Sequence, residues 1–117
     1  MKKIGILIIL ISTLVSCGPP KGLYSWGGKK ISYEKTSYNY LKNQDEESIQ
    51  SLNETYQEII TNQKGTRGVP PPGIFADYGF LLIQLGETEK GKQMLMKEIS
   101  FYPEATIFVE RILKMIE

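Results

Sequence analysis

The chain contains no histidine and one cysteine, Cys17. Without histidine, the commonest general base at neutral pH and the commonest metal ligand are both missing. With a single cysteine, no disulfide can close within the chain, so a folded domain must hold by packing alone. Neither charge sign dominates, with 14 basic against 13 acidic residues. That balance speaks against nucleic acid, which needs a basic stripe to release counterions, and it offers no polybasic patch for anionic lipid. Alternation of apolar and polar residues is nearly absent, which excludes a sheet-built fold. Long apolar runs are absent too. The longest, from Ile4 to Val15, falls short of the roughly 20 residues that cross a bilayer, and Gly18-Pro19-Pro20 stops any helix directly after it. Gly27-Gly28-Lys29 lacks the spaced first glycine and the strand-to-helix context of a phosphate loop.

What is present begins at the N-terminus. Lys2 and Lys3 precede the apolar run, in the order of an export signal. Leu14-Val15-Ser16-Cys17 resembles a bacterial lipobox: two apolar positions, a small residue, then cysteine. The resemblance implies a signal peptide over residues 1–16, cleavage between Ser16 and Cys17, and lipid on the Cys17 sulfur and new amino group. Lipidation also accounts for an otherwise odd free thiol in an exported protein. Removing sixteen of 117 residues leaves 101, enough for one small domain. Losing Lys2 and Lys3 leaves 12 basic against 13 acidic residues, a net charge of −1. Gly18 rather than Asp follows the cysteine, which by resemblance to Gram-negative lipoproteins favours the outer membrane. Residues 17–31 then read as a lipidated cysteine, a flexible Pro-rich tether and an aromatic-glycine segment. There Tyr24 and Trp26 either plug the end of a core or form a recognition or membrane-interface surface.

Residues 32–117 read as an all-α domain, giving about five helices. Ser32 to Lys42 carries Tyr33, Tyr38 and Tyr40-Leu41, with the aromatics expected inward. Asp45 is a plausible N-cap for a helix whose apolar face is Ile49, Leu52, Tyr56, Ile59 and Ile60. Lys64 to Gly68 supplies its expected glycine C-cap. The prolines at 70–72 lead into a third helix, with proline tolerated in its first turn and with Phe75, Tyr78, Leu82 and Leu85 on one stripe. Gly86 stops it. A return helix over 89–101 points Met94, Leu95, Ile99 and Tyr102 inward, and Pro103 breaks it. The last helix, 104–116, carries Phe108, Ile112 and Met115 at i, i+4, i+7.

Residues 72–103 resemble one tetratricopeptide unit. Phe75, Tyr78-Gly79 and Leu82 fall at the family's spacings, Gly86 lies at the turn, Gly91 early on the second helix, Leu95 four positions later, and Pro103 at the close. Gly79 and Gly91 are expected to let two helix backbones approach closely, and Gly86 to reverse the chain. Glu98 departs from the pattern, standing where the family usually has alanine. One unit cannot form a solenoid, so the flanking helices must act as caps.

A wider resemblance rests on the order of Cys17-x-Pro19-Pro20-Lys21, Leu23-Tyr24-x-Trp26-Gly27-Gly28, Tyr40-Leu41-Lys42, Pro71-Pro72-Gly73, Leu85-Gly86 and Tyr102-Pro103-Glu104. In that order the chain is similar to small bacterial lipoproteins carrying the domain of unknown function 4810. The resemblance implies no established reaction. It implies an accessory role in the cell envelope, beside lipoproteins similar to the curli secretion pore component.

The expected function is therefore a lipid-anchored helical interaction module with an envelope protein partner. The membrane would be held through acyl chains, and no cofactor other than that covalent lipid, no metal and no nucleic acid is expected. Trp26, Phe75, Tyr78 and Tyr102 are the candidate contact residues. A structural subunit or plug of an oligomeric assembly is the alternative, and a small carboxylate hydrolase the remote one. For the hydrolase, Asp77 and Glu98 would have to meet across the hairpin; the plainer expectation is an exposed Asp77 and a Glu98 paired with lysine. No catalytic residue is assigned, and the chain is expected not to be an enzyme.

Overall fold

The computed structural model describes residues 22–28 and 31–117. Among these the chain is all-helical, with no strand and five α-helices. Ser16 and Cys17, and with them the cleavage and lipidation expectations, lie outside the described residues.

Helix α1 spans Tyr33–Asn43. Ser32 caps it, accepting from the Lys35 N–H, and Gln44 ends it in a left-handed conformation at φ 49°. Tyr33 and Tyr40, seven residues apart, share the face that packs on the core. Tyr38 and Leu41 do not turn inward as expected but remain exposed, because α1 packs closely on the next helix alone and meets the third helix only through a few side chains. Helix α2 spans Glu46–Thr61. Asp45 is its N-cap in a reciprocal capping box, with Ser48 N–H donating to Asp45 Oδ1 at 2.8 Å and Asp45 N–H to Ser48 Oγ at 3.1 Å. Its buried face is Ser48, Leu52, Thr55, Tyr56 and Ile59, at helical spacing.

The expected glycine C-cap of α2 is not used. The helix ends at Asn62, and Gly65 instead lies under the extended segment 22–28, where a Cβ would strike the Leu23 carbonyl. That segment is strapped to the loop after α2. Thr66 N–H donates to Gly22 O at 3.0 Å and Arg67 N–H to Leu23 O at 3.2 Å. Gln63 clamps Ser25 from both ends of its amide, accepting from Ser25 N–H at 2.6 Å and donating to Ser25 O at 3.1 Å. At the other end of the strap, Tyr33 N–H donates to Trp26 O at 2.9 Å.

Helix α3, Ile74–Gln84, starts after the prolines rather than containing one, with Gly73 as its N-cap at φ 94°. Gly73 offers no side chain to satisfy the helix start. The carboxylate of Glu98, 25 residues on, does so, accepting from Gly73 N–H at 2.6 Å. Glu98 is 2 % exposed and has no lysine partner among the described residues. The residue that breaks the tetratricopeptide pattern therefore anchors one helix of the hairpin to the other.

Helix α4, Thr88–Phe101, returns antiparallel to α3 after a turn at Gly86, φ 87°. The two helices cross at Gly79 and Gly91. A Cβ on Gly91 would lie 2.6 Å from Gly79 O, and one on Gly79 would lie 2.7 Å from Gly91 O. Such a distance is far inside van der Waals contact, so both positions need the bare backbone. Pro103 opens a short 3₁₀ turn, Pro103–Ala105, leading into α5, Thr106–Met115.

The expected inward stripe of α5 is corrected by one position. Val109 and Ile112 are buried with Leu113 beside them, while Phe108 and Met115 are 56 % and 70 % exposed. Leu85, expected on the buried stripe of α3, ends that helix exposed.

Two clusters make the core. One joins Leu52, Tyr56 and Ile59 of α2 to Ile74, Tyr78, Leu81 and Leu82 of α3. The other joins Ala76 of α3 to Leu95 of α4 and to Val109 and Ile112 of α5. Helix α3 is apolar on both faces for this reason.

Candidate functional site

Helices α1, α3 and α5 lie on one side of the molecule and leave hollows between them. The larger, about 370 Å³, lies between α1 and α3. Tyr33, Tyr40 and Leu41 form one wall, Asp77, Phe80 and Gln84 the other, and Leu52 and Tyr56 of α2 contribute to the lining. The smaller, about 230 Å³, lies between α3 and α5 and is lined by Ala76, Asp77, Phe80, Phe108, Ile112 and Met115. Asp77 and Phe80 line both, so the two hollows adjoin across α3 as a groove ridged by these two side chains. Its lining is mainly aromatic and aliphatic, with Ser37, Gln44 and Gln84 in the α1–α3 hollow and one carboxylate, Asp77, at its middle.

The spacing on α3 produces this arrangement. Phe75, Tyr78 and Leu82 turn into the cores, so Asp77, Phe80 and Gln84 follow one another at three and four residues along the outer face. The Tyr33 hydroxyl donates to Asp77 Oδ2 at 3.3 Å, and the Tyr40 hydroxyl to Gln84 Oε1 at 3.4 Å, bridging α1 to α3 across the groove. Behind them the rings of Trp26, Tyr33, Tyr56 and Tyr78 form a row with neighbouring centroids 5.5, 5.9 and 5.5 Å apart. These are favourable tilted aromatic contacts.

The electrostatics follow from the surroundings. Desolvation among the rings raises the Asp77 carboxyl above its ordinary value, opposed by the hydrogen bond from Tyr33. Burial, and then the Asp77 charge, raise the Tyr33 phenol. Burial first, with the Asp77 charge second, raises Tyr56 further. Among the described residues no lysine or arginine pairs with Asp77. The groove therefore presents an anion without its counter-ion, ready to accept from a cationic or hydrogen-bond-donating group, with apolar surface on both sides.

Glu98 lies within electrostatic reach of Asp77 but serves α3 instead. Burial raises its carboxyl, with backbone N–H groups at the helix start, Gly73 first, acting in the opposite direction. Among the described residues no group of three or more Cys, Asp or Glu is placed to hold a metal ion, and no helix is long and apolar enough to cross a membrane.

Of the four expected contact residues, only Trp26 is open to solvent, at 46 %. The other three are corrected to core positions. Phe75 stacks on Phe101 with centroids 5.4 Å apart. Tyr78 packs in the α2–α3 cluster, its hydroxyl accepting from Gln57 Nε2 at 3.2 Å. Tyr102 donates to Pro70 O at 2.6 Å, and burial pushes its phenol up to about 12, with Tyr24 adding to the shift. These aromatics are the large side chains of a small core, which is why they sit at helical spacing. The groove residues Tyr40, Leu41, Phe80, Phe108 and Met115 were not singled out as contacts. Their signal was the apolar residues left over on each helix once an inward stripe is subtracted.

A family model described as Domain of unknown function (DUF4810) matches residues 23–112. No curated protein and no solved structure matches the chain.

Proposed function

We propose that this chain, which belongs to the DUF4810 family, is a lipid-anchored accessory protein of the cell envelope whose α1–α3–α5 groove holds a segment of a partner protein. The observation that carries the reading is the groove itself, a largely aromatic and aliphatic channel with the carboxylate of Asp77, which has no cationic partner among the described residues, at its centre. Its chemistry fits an apolar peptide segment, helical or extended, that places one lysine or arginine against Asp77. Recognition of this kind needs a few well-buried anchors and one oriented polar contact. The lipobox-like Leu14-Val15-Ser16-Cys17 supports placement at a membrane, and the family resemblance supports an envelope lipoprotein as the partner.

The test is co-purification of the tagged protein from crosslinked membranes, beside Cys17→Ser and Leu41→Glu with Phe80→Glu. The expected result is a discrete partner held by the native chain, lost when the groove is charged, and lost or reduced when the cysteine is replaced. Recovery of the same partner with the charged groove would remove the groove from the function. Recovery of the lipidated protein alone would remove the adaptor reading.

A further inference from the structure

The near-neutral composition conceals an uneven distribution of charge along the sequence. The strap lays residues 22–26 against the loop after α2, residues 63–67, and in the sequence these lie within the stretches 17–33 and 59–76. Together these stretches carry Lys21, Lys29, Lys30, Lys64 and Arg67 and no acidic residue. The rest of the chain after Ser16 holds 7 basic and 13 acidic residues, a charge of −6 against +5 for these two stretches of sequence. Sequence distance hides the arrangement, since 37 residues separate Trp26 from Lys64. The clamp of Gln63 on Ser25 and the backbone bonds to Gly22 and Leu23 close that gap.

Apolar side chains project from the same region. Leu23 is 57 % exposed and Trp26 nearly half, although the carbonyls of Leu23 and Trp26 are both held by hydrogen bonds. An indole and an aliphatic chain amid lysine and arginine form the pairing that favours a phospholipid interface: the ring sits at headgroup depth while the cations meet anionic phosphate. The anchor point agrees. Only five peptide units separate Cys17 from Gly22, which limits that distance to roughly 17 Å. If acyl chains hold Cys17 in a leaflet, the strap is the first part of the domain to meet it.

We propose that the strap face, made by Leu23, Trp26, Lys64 and Arg67, docks on an anionic phospholipid surface and so fixes the orientation of the domain. The proposal rests on the lipid-anchored reading for its geometry, yet the face has its own readout. Trp26 is the sole tryptophan, so its emission reports on this surface alone.

The experiment uses the full protein purified from membranes and reconstituted into vesicles of anionic or zwitterionic phospholipid, with bromine on the acyl chains near the headgroup as quencher. Intact mass establishes whether Cys17 carries lipid. The expected result is blue-shifted Trp26 emission, strongly quenched in anionic vesicles, weakly in zwitterionic ones, and released by salt. Lys64→Gln with Arg67→Gln alters exposed side chains only, and should lower the docked-to-free ratio by about 30-fold, from the attraction of two basic residues to an anionic leaflet. A lipidated protein with Trp26 unquenched in both vesicles overturns the docking face while leaving the anchor intact. A protein without lipid overturns the anchor. Its Trp26 emission on mixing with anionic vesicles then decides the face separately, quenching supporting it and constancy overturning it.

Discussion

Replacing Glu98 separates the two effects of a buried carboxylate that joins α4 to the start of α3. Among the described residues only one of its oxygens is hydrogen-bonded, Oε1 to the Gly73 N–H at 2.6 Å, while Oε2 is buried without a partner there. Glu98→Ala leaves that N–H unpaired, which costs about 1–3 kcal/mol. For a domain of this size that lowers Tm by roughly 4 °C or more. Glu98→Gln keeps a carbonyl oxygen for the same bond and removes the charge. The sign of the pH effect follows from burial, which raises the carboxyl in the folded state. A raised acid contributes its full stability below its unfolded value, about 4.3, and loses it as pH rises through the folded value. The native protein should thus lose stability relative to Glu98→Gln across that window and hold a constant deficit above it. Asp77 is raised in the same direction, but it is present in both proteins and cancels to first order. Thermal and urea melts of the three proteins from pH 4 to 7 measure both effects. Equal melting of Glu98→Ala and the native chain at pH 7 would refute the capping role. A difference between native and Glu98→Gln that does not change with pH would refute the electrostatic one.

Gly91→Ala forces a methyl to within 2.6 Å of the Gly79 carbonyl and should destabilise by about 1–3 kcal/mol or more, read as a lowered urea midpoint with an unchanged slope. Leu82→Ala, in the α2–α3 cluster, should cost about 2–5 kcal/mol, whereas Leu41→Ala, 71 % exposed, should stay within about 0.5 kcal/mol while weakening capture of the partner. Asp45 is held below its ordinary value, chiefly by the Ser48 N–H. Its contribution is present above the unfolded value and is lost as pH falls through the folded one, so Asp45→Ala should melt lower at pH 7 and draw level with the native chain in strong acid. Gly65→Ala sets a Cβ against the Leu23 carbonyl and should detach the strap, seen as a red shift of Trp26 emission with α-helix circular dichroism retained.

The parts of the fold that depend on near neighbours were legible in the chain. Asp45 with its capping box, the Gly86 turn and the Gly79–Gly91 crossing each follow from residues within a helix or hairpin. Helix α5 shows where periodicity stops deciding. Ile107, Phe108, Val109, Ile112, Leu113 and Met115 surround it with apolar groups, so several stripes fit, and Leu95 of α4 with Ala76 of α3 selects the one bearing Val109 and Ile112. The groove was hidden for the same reason, since its walls are whatever α1, α3 and α5 leave uncovered after packing. The expected pairing of Glu98 with a lysine fails because the donor that it serves lies 25 positions upstream. The strap was equally non-local. Ser25 and Gln63 are 38 residues apart, and nothing in either stretch alone announces the other.

Helix α3 belongs to both core clusters, and this bears on how the domain comes apart. Arrays of helical hairpins lose their units one after another, because each unit touches only its neighbours. Here the loss of α3 dissolves both clusters at once, so the described domain has no half that could survive alone. Its denaturation should be a single cooperative event, with calorimetric and van't Hoff enthalpies equal. Amide protons of α3 should exchange only through global opening, while those of α1 and the last turn of α5 exchange through local fraying.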